Sequence, residues 1–75
     1  IVYPNPNSGD FTISSIDNNA HRYVVRDVTG KLIAEENISN RMKVDVQLNV
    51  QKGIYFIEVL SPSGSVLQNN KLIVQ

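Results

Sequence analysis

Turn-forming residues recur at short spacing along this chain, and the cleanest of the pieces between them alternate between apolar and polar side chains. The interruptions are Pro4-Asn5-Pro6-Asn7-Ser8-Gly9, Asp17-Asn18-Asn19, Asp27-Val28-Thr29-Gly30-Lys31, Gln51-Lys52-Gly53 and Ser61-Pro62-Ser63-Gly64. Proline fixes φ and biases its predecessor toward extended geometry, while glycine tolerates φ > 0. In residues 43–48, Val44, Val46 and Leu48 face one way and Lys43, Asp45 and Gln47 the other. Residues 10–15 repeat the pattern, with Phe11 and Ile13 opposed to Thr12 and Ser14. A period of two marks a strand with one buried face.

The other pieces also read as strands. Ile1-Val2-Tyr3 is a short extended segment, and residues 22–28 are β-branched and aromatic. Residues 31–36 return as the hairpin partner, with Gly30 at the left-handed position of a bulge. Residues 54–60 are nearly all apolar, which predicts a central strand covered on both faces. Residues 66–74 form the last strand, weakened at Asn69-Asn70. About seven strands without helical periodicity predict an all-β fold, a small antiparallel sandwich of immunoglobulin-like type. The expected core is Phe11, Ile13, Val44, Val46, Leu48, Tyr55, Ile57 and Val59.

A length of 75 residues fits one domain. At this size folding buries only about 60% of the unfolded surface, so a thin core is expected and an enclosed substrate cavity is not. Seven basic and seven acidic residues cancel. Without a basic face, nucleic-acid binding has no electrostatic support. Cysteine is absent, which excludes disulfides and thiolate metal sites. The apolar runs are too short to span a bilayer as helices, so no integral membrane segment is expected. The chain opens at Ile1 without an initiator methionine or signal peptide. The expectation is a piece cut from a longer secreted protein, with residues 71–75 as a natural end.

Little here suggests catalysis. His21 is the only histidine, and no serine stands in a glycine-flanked elbow that would pair with it as a nucleophile. Asp17-Asn18-Asn19 begins like a calcium loop, but Arg22 and Val28 occupy the places that need glycine and glutamate. Gly30-Lys31 lacks the upstream glycine of a phosphate loop, since Val25 stands there. No catalytic residue, metal or cofactor is expected. The chain has no tryptophan, and most of its five aromatics, Tyr3, Phe11, Tyr23, Tyr55 and Phe56, lie at core-like strand positions.

Four segments carry a resemblance. Val2-Tyr3-Pro4-Asn5-Pro6-Asn7-Ser8-Gly9 with Phe11 and Ile13 is similar to the first motif of type A C-terminal sorting domains of the type IX secretion system. Val25-Arg26-Asp27-Val28-Thr29-Gly30-Lys31-Leu32-Ile33 resembles the hairpin motif. Gln51-Lys52-Gly53-Ile54-Tyr55-Phe56-Ile57-Glu58-Val59 resembles the third, with Val50-Gln51 where the family often has Leu-Pro. Lys71-Leu72-Ile73-Val74-Gln75 resembles the last, with Gln75 where many members end in a basic or apolar residue.

The resemblance implies a small β-sandwich at the C-terminus of a cargo protein. It implies that the outer-membrane translocon recognises the domain, carries the cargo from the periplasm to the cell surface or medium, and that a sortase-like cysteine peptidase then usually removes it. The motif residues implied in recognition are Pro4, Asn5, Pro6, Gly9, Asp27, Gly30, Lys31, Gly53, Tyr55, Lys71, Leu72, Ile73 and Val74. Gly9, Gly30 and Gly53 also read as backbone requirements, and Tyr55 as core. Lys71 has no evident structural task on a strand. The last strand, with an open edge, is the expected docking surface. Two rival readings are a carbohydrate-binding or adhesive module and a passive spacer domain.

Overall fold

The computed structural model describes residues 1–75. Seven strands form in chain order: β1 (Val2–Tyr3), β2 (Asp10–Ile13), β3 (Arg22–Asp27), β4 (Leu32–Asn37), β5 (Val44–Gln47), β6 (Gly53–Leu60) and β7 (Val66–Val74). They make a three-stranded sheet of order β1-β2-β5 and a four-stranded sheet of order β4-β3-β6-β7. Every neighbouring pair is antiparallel. The result is the expected all-β, immunoglobulin-like sandwich.

The alternation read from the sequence sets which side chains meet between the sheets. Phe11, Ile13, Val44 and Val46 come from the small sheet, and Tyr23, Val25, Tyr55, Ile57, Val59, Leu72 and Val74 from the large one. Ile16, Ala20 and Ile38 from the connections complete the same cluster. Leu48 differs from expectation and is only half-buried, because β5 ends at Gln47 and Leu48 already lies in the following connection.

Residues 54–60 also depart from expectation. β6 is central in its sheet, yet only one face is covered: Tyr55, Ile57 and Val59 are buried, while Ile54 and Phe56 are 40% and 39% exposed. A two-layer sandwich gives each sheet one inner face and leaves the other to solvent. Elsewhere on that outer face polar side chains supply cover. Val24 stands outside the core cluster and is still only 1% exposed. Its ladder partners are Glu35 and Glu58. These carboxylates pair with Arg22 at 3.0 Å and Arg26 at 3.7 Å, on either side of Val24 along β3. The aliphatic stems of such side chains shield apolar surface.

The β3–β4 hairpin has the expected turn. The Gly30 amide donates to the Asp27 carbonyl at 3.0 Å, and the Asp27 amide to the Lys31 carbonyl at 3.0 Å. Gly30 has φ = 86°, the left-handed conformation that closes such a bulged turn. β7 runs unbroken through Asn69 and Asn70, which pair with Glu58 and Ile57. Its irregularity lies earlier: Val59 faces Gln68 and Leu60 faces Val66, so Leu67 is the extra residue of a bulge.

Candidate functional site: the motif end of the sandwich

The four motif segments, scattered along the sequence, meet at one end of the sandwich. Asp27 lies opposite Tyr55, and Gly53 opposite Val74. Asn7 bridges to Val74, and the Leu48 amide donates to the Gly9 carbonyl at 2.8 Å. The turn of residues 4–9, the β3–β4 hairpin, the turn of residues 51–53 and the tail of residues 71–75 are therefore neighbours. Ile1 sits at the other end, where its ammonium group donates to the Ser14 carbonyl at 3.0 Å. The longest dimension of the domain is 31 Å.

The first turn binds the last strand directly. The Asn5 side-chain amide donates to the Lys71 carbonyl at 2.7 Å, and the Ile73 amide donates to Asn5 Oδ1 at 2.9 Å. A carboxamide offers one donor group beside one acceptor, so Asn5 pairs with β7 as a strand residue's backbone would. The Asn7 amide donates to the Ile73 carbonyl at 3.0 Å, and the Gln75 amide to the Asn7 carbonyl at 2.7 Å. The buried Asn7 side chain stiffens the turn: Nδ2 donates to the Pro4 carbonyl at 2.9 Å and Oδ1 accepts from the Gly9 amide at 2.8 Å. The peptide bonds preceding Pro4 and Pro6 are both cis.

This corrects the expectation of an open edge on the last strand. β7 is an edge strand, but the first turn occupies its edge at Lys71, Ile73 and Gln75. The Leu67 bulge interrupts the edge further up. Bulges and covering segments are ordinary means of keeping an edge from pairing with other chains. The tail's side chains divide by strand alternation. Leu72 and Val74 are buried in the core, Ile73 is half-buried, and Lys71 is exposed beside Phe56 in the ladder.

The remaining motif residues hold turns. Asp27 Oδ1 accepts from the Thr29 hydroxyl at 2.6 Å, the Thr29 amide at 2.9 Å and the Lys31 amide at 3.1 Å. The bond from the Thr29 hydroxyl is the main reason the Asp27 carboxyl titrates below the usual carboxylate range. Tyr55 is buried, and its hydroxyl donates to the Gln51 carbonyl at 2.7 Å, fixing the turn before Gly53. Gly53 opens β6 opposite Val74. Pro4, Asn5 and Pro6 are exposed around the latch they form. In the sequence Asn7 reads only as one residue of the first turn and is not named among the recognition residues, although an asparagine two residues before a glycine is an available turn signal. Phe56 reads there as part of a strand covered on both faces because residues 54–60 look uniformly apolar, which hides its exposure.

His21, away from this end, has Nδ1 3.2 Å from Ser39 Oγ in an exposed contact. No three side chains of the metal-ligating types cluster. No helix is long and apolar enough to cross a membrane.

No curated protein matches the chain. The family described as the secretion system C-terminal sorting domain matches over residues 1–75, so the segments that meet at this end lie within the match. The chain belongs to the C-terminal sorting domains of the type IX secretion system.

Proposed function

We propose that residues 1–75 are an address read as a folded surface by the type IX translocon in the outer membrane. Membership of the family implies a cargo on the N-terminal side, a type IX system, and export across the outer membrane to the cell surface or medium. In this reading the cargo first reaches the periplasm. The translocon then engages the end of the sandwich where the four motif segments meet, and a sortase-like cysteine peptidase removes the domain after passage. The domain is substrate and recognition element, needs no cofactor, and catalyses nothing.

The observation that supports this reading most is the convergence of the motif segments at the end away from Ile1. Cargo joined ahead of Ile1 leaves the motif end unobstructed. A sugar-binding module would instead want an exposed aromatic row. The exposed aromatics, Tyr3 and Phe56, lie on different sheets.

The test fuses residues 1–75 behind a reporter with an ordinary export signal, in a host with type IX secretion. The reporter should reach the surface or medium. Deleting residues 71–75 removes buried Leu72 and Val74 together with the latch partners, so its failure would not separate folding from recognition. Lys71→Ala alters one exposed side chain and should change stability by no more than about 0.5 kcal/mol. Poor export of that folded variant means the lysine is read directly. A wild-type fusion that stays in the periplasm of a competent host overturns the reading.

A further inference from the structure

We propose that the outer face of the four-stranded sheet, at the motif end, docks an acidic polypeptide segment carrying a projecting apolar side chain. The proposal names the partner chemistry of the sorting surface and, in its export arm, rests on that reading.

The outer face is apolar where a two-layer sandwich gives it nothing to cover. Ile54 and Phe56 are 40% and 39% exposed on the central strand β6. Ile73 pairs with Ile54, and Lys71 and Arg26 flank Phe56 on either side in the ladder. Leu32, 43% exposed, continues the Arg26 row onto β4. Contiguous exposed apolar surface rimmed by polar groups marks an interaction site. Beside Phe56 lies a shallow groove of about 340 Å³, whose wall includes Val28, Gly30, Glu58 and Asn69. The groove leaves room for a side chain laid against Phe56 and Val28.

The charges select the sign of the partner. All three arginines are paired, Arg22 with Glu35, Arg26 with Glu58 and Arg41 with Glu36, and none of the four lysines is. Three of those lysines, Lys31, Lys52 and Lys71, belong to the segments that meet at the motif end. The carboxylates beside them are engaged, Glu58 by Arg26 and Asp27 by its own turn. Exposed Asp10 and Asp45 belong instead to the opposite, three-stranded sheet. The chain is neutral as a whole, and three of its four unpaired lysines belong to the segments around exposed Ile54 and Phe56, with Lys71 directly beside Phe56 in the ladder. Carboxylates against the lysines and an apolar group on Phe56 satisfy both features at once.

The probe is a synthetic octapeptide alternating glutamate and phenylalanine, titrated into the ¹⁵N-labelled domain. Amide shifts should appear at Ile54, Phe56, Lys71 and Ile73 and shrink with added salt. Peptides with glutamine for glutamate or alanine for phenylalanine should bind about tenfold more weakly or worse, as should the Lys52→Glu/Lys71→Glu and Phe56→Ser variants. Dispersed spectra check that each variant is folded. Equal binding of the glutamine peptide, or shifts centred elsewhere, overturns the proposal. So does a preference for phosphatidylglycerol-containing vesicles over the peptide, or concentration-dependent shifts without peptide, which would indicate a second copy on this face. In the export assay, Phe56→Ser and the double lysine variant should lower secretion about tenfold or more. If the wild-type fusion is exported and these folded variants are exported equally well, the docking surface is wrong and the sorting reading stands. If the wild-type fusion is retained, the sorting reading fails and the peptide titration decides the surface.

Discussion

Replacing Gly9 with alanine should cost much more stability than the same change at Gly30. Both residues have positive φ, 111° at Gly9 and 86° at Gly30. A Cβ in that region crowds the adjoining carbonyl and costs about 1–2 kcal/mol. The surroundings then separate the two sites. At Gly30 an added Cβ meets no heavy atom within 4 Å. At Gly9 it runs into the backbone carbonyl of Leu48. Leu48 is also tied to Gly9 by its amide, 2.8 Å from the Gly9 carbonyl, so the contact cannot open without stretching that bond. Pushing packed backbone aside adds about 1–3 kcal/mol. Gly9→Ala should therefore lose about 2–5 kcal/mol in total, and Gly30→Ala only the first part. A chain of 75 residues has a whole stability of about 4–11 kcal/mol, so Gly9→Ala could leave the domain barely folded. Urea unfolding of the two variants beside the wild type measures the difference. Equal losses would refute the close approach of the first turn to the β5–β6 connection.

Two further outcomes follow from the latch and from Tyr23. Asn5→Ala removes both side-chain bonds to β7, which should lower stability by about 1–2 kcal/mol; hydrogen exchange of the Ile73 amide should quicken, and an unchanged rate would mean the bonds carry nothing. Burial, with a further push from its hydrogen bond to Glu36, raises the Tyr23 phenol to about 12. A phenol whose folded pKa exceeds its unfolded value of about 10 contributes stability that is complete below pH 10 and lost as pH rises toward 12. Tyr23→Phe should flatten that alkaline decline in unfolding experiments, and an identical slope in both proteins would contradict the assignment.

Much of the fold was legible because strand alternation is a local property. Val44 and Val46, or Phe11 and Ile13, declare their buried face without reference to anything distant. The hairpin at Gly30 was legible for the same reason, since its turn is held by bonds among Asp27, Thr29, Gly30 and Lys31. Residues 54–60 were misread because an apolar run does not say whether its second face meets a layer or water. That depends on the number of sheets. Leu48 was overestimated because the alternation of β5 continues in sequence one residue past the strand itself. The latch was out of reach for a different reason. Asn5 lies 66 and 68 residues from its partners on β7. No local pattern states that a side-chain amide will pair with a strand so far away. The motif residues could thus be named from the sequence, but their meeting at one end required the topology.

That pairing also sets when the domain can form. Loop closure over most of a chain is slow compared with local pairing. Here the last strand supplies Leu72 and Val74 to the core and receives the first turn on its edge. A nascent chain that has not yet released residues 71–75 can pair β3 with β4, yet it cannot assemble the surface where the four motif segments meet. On the reading proposed above, a protein that carries this domain last would present its address only once synthesis is complete, and prematurely terminated cargo would lack it.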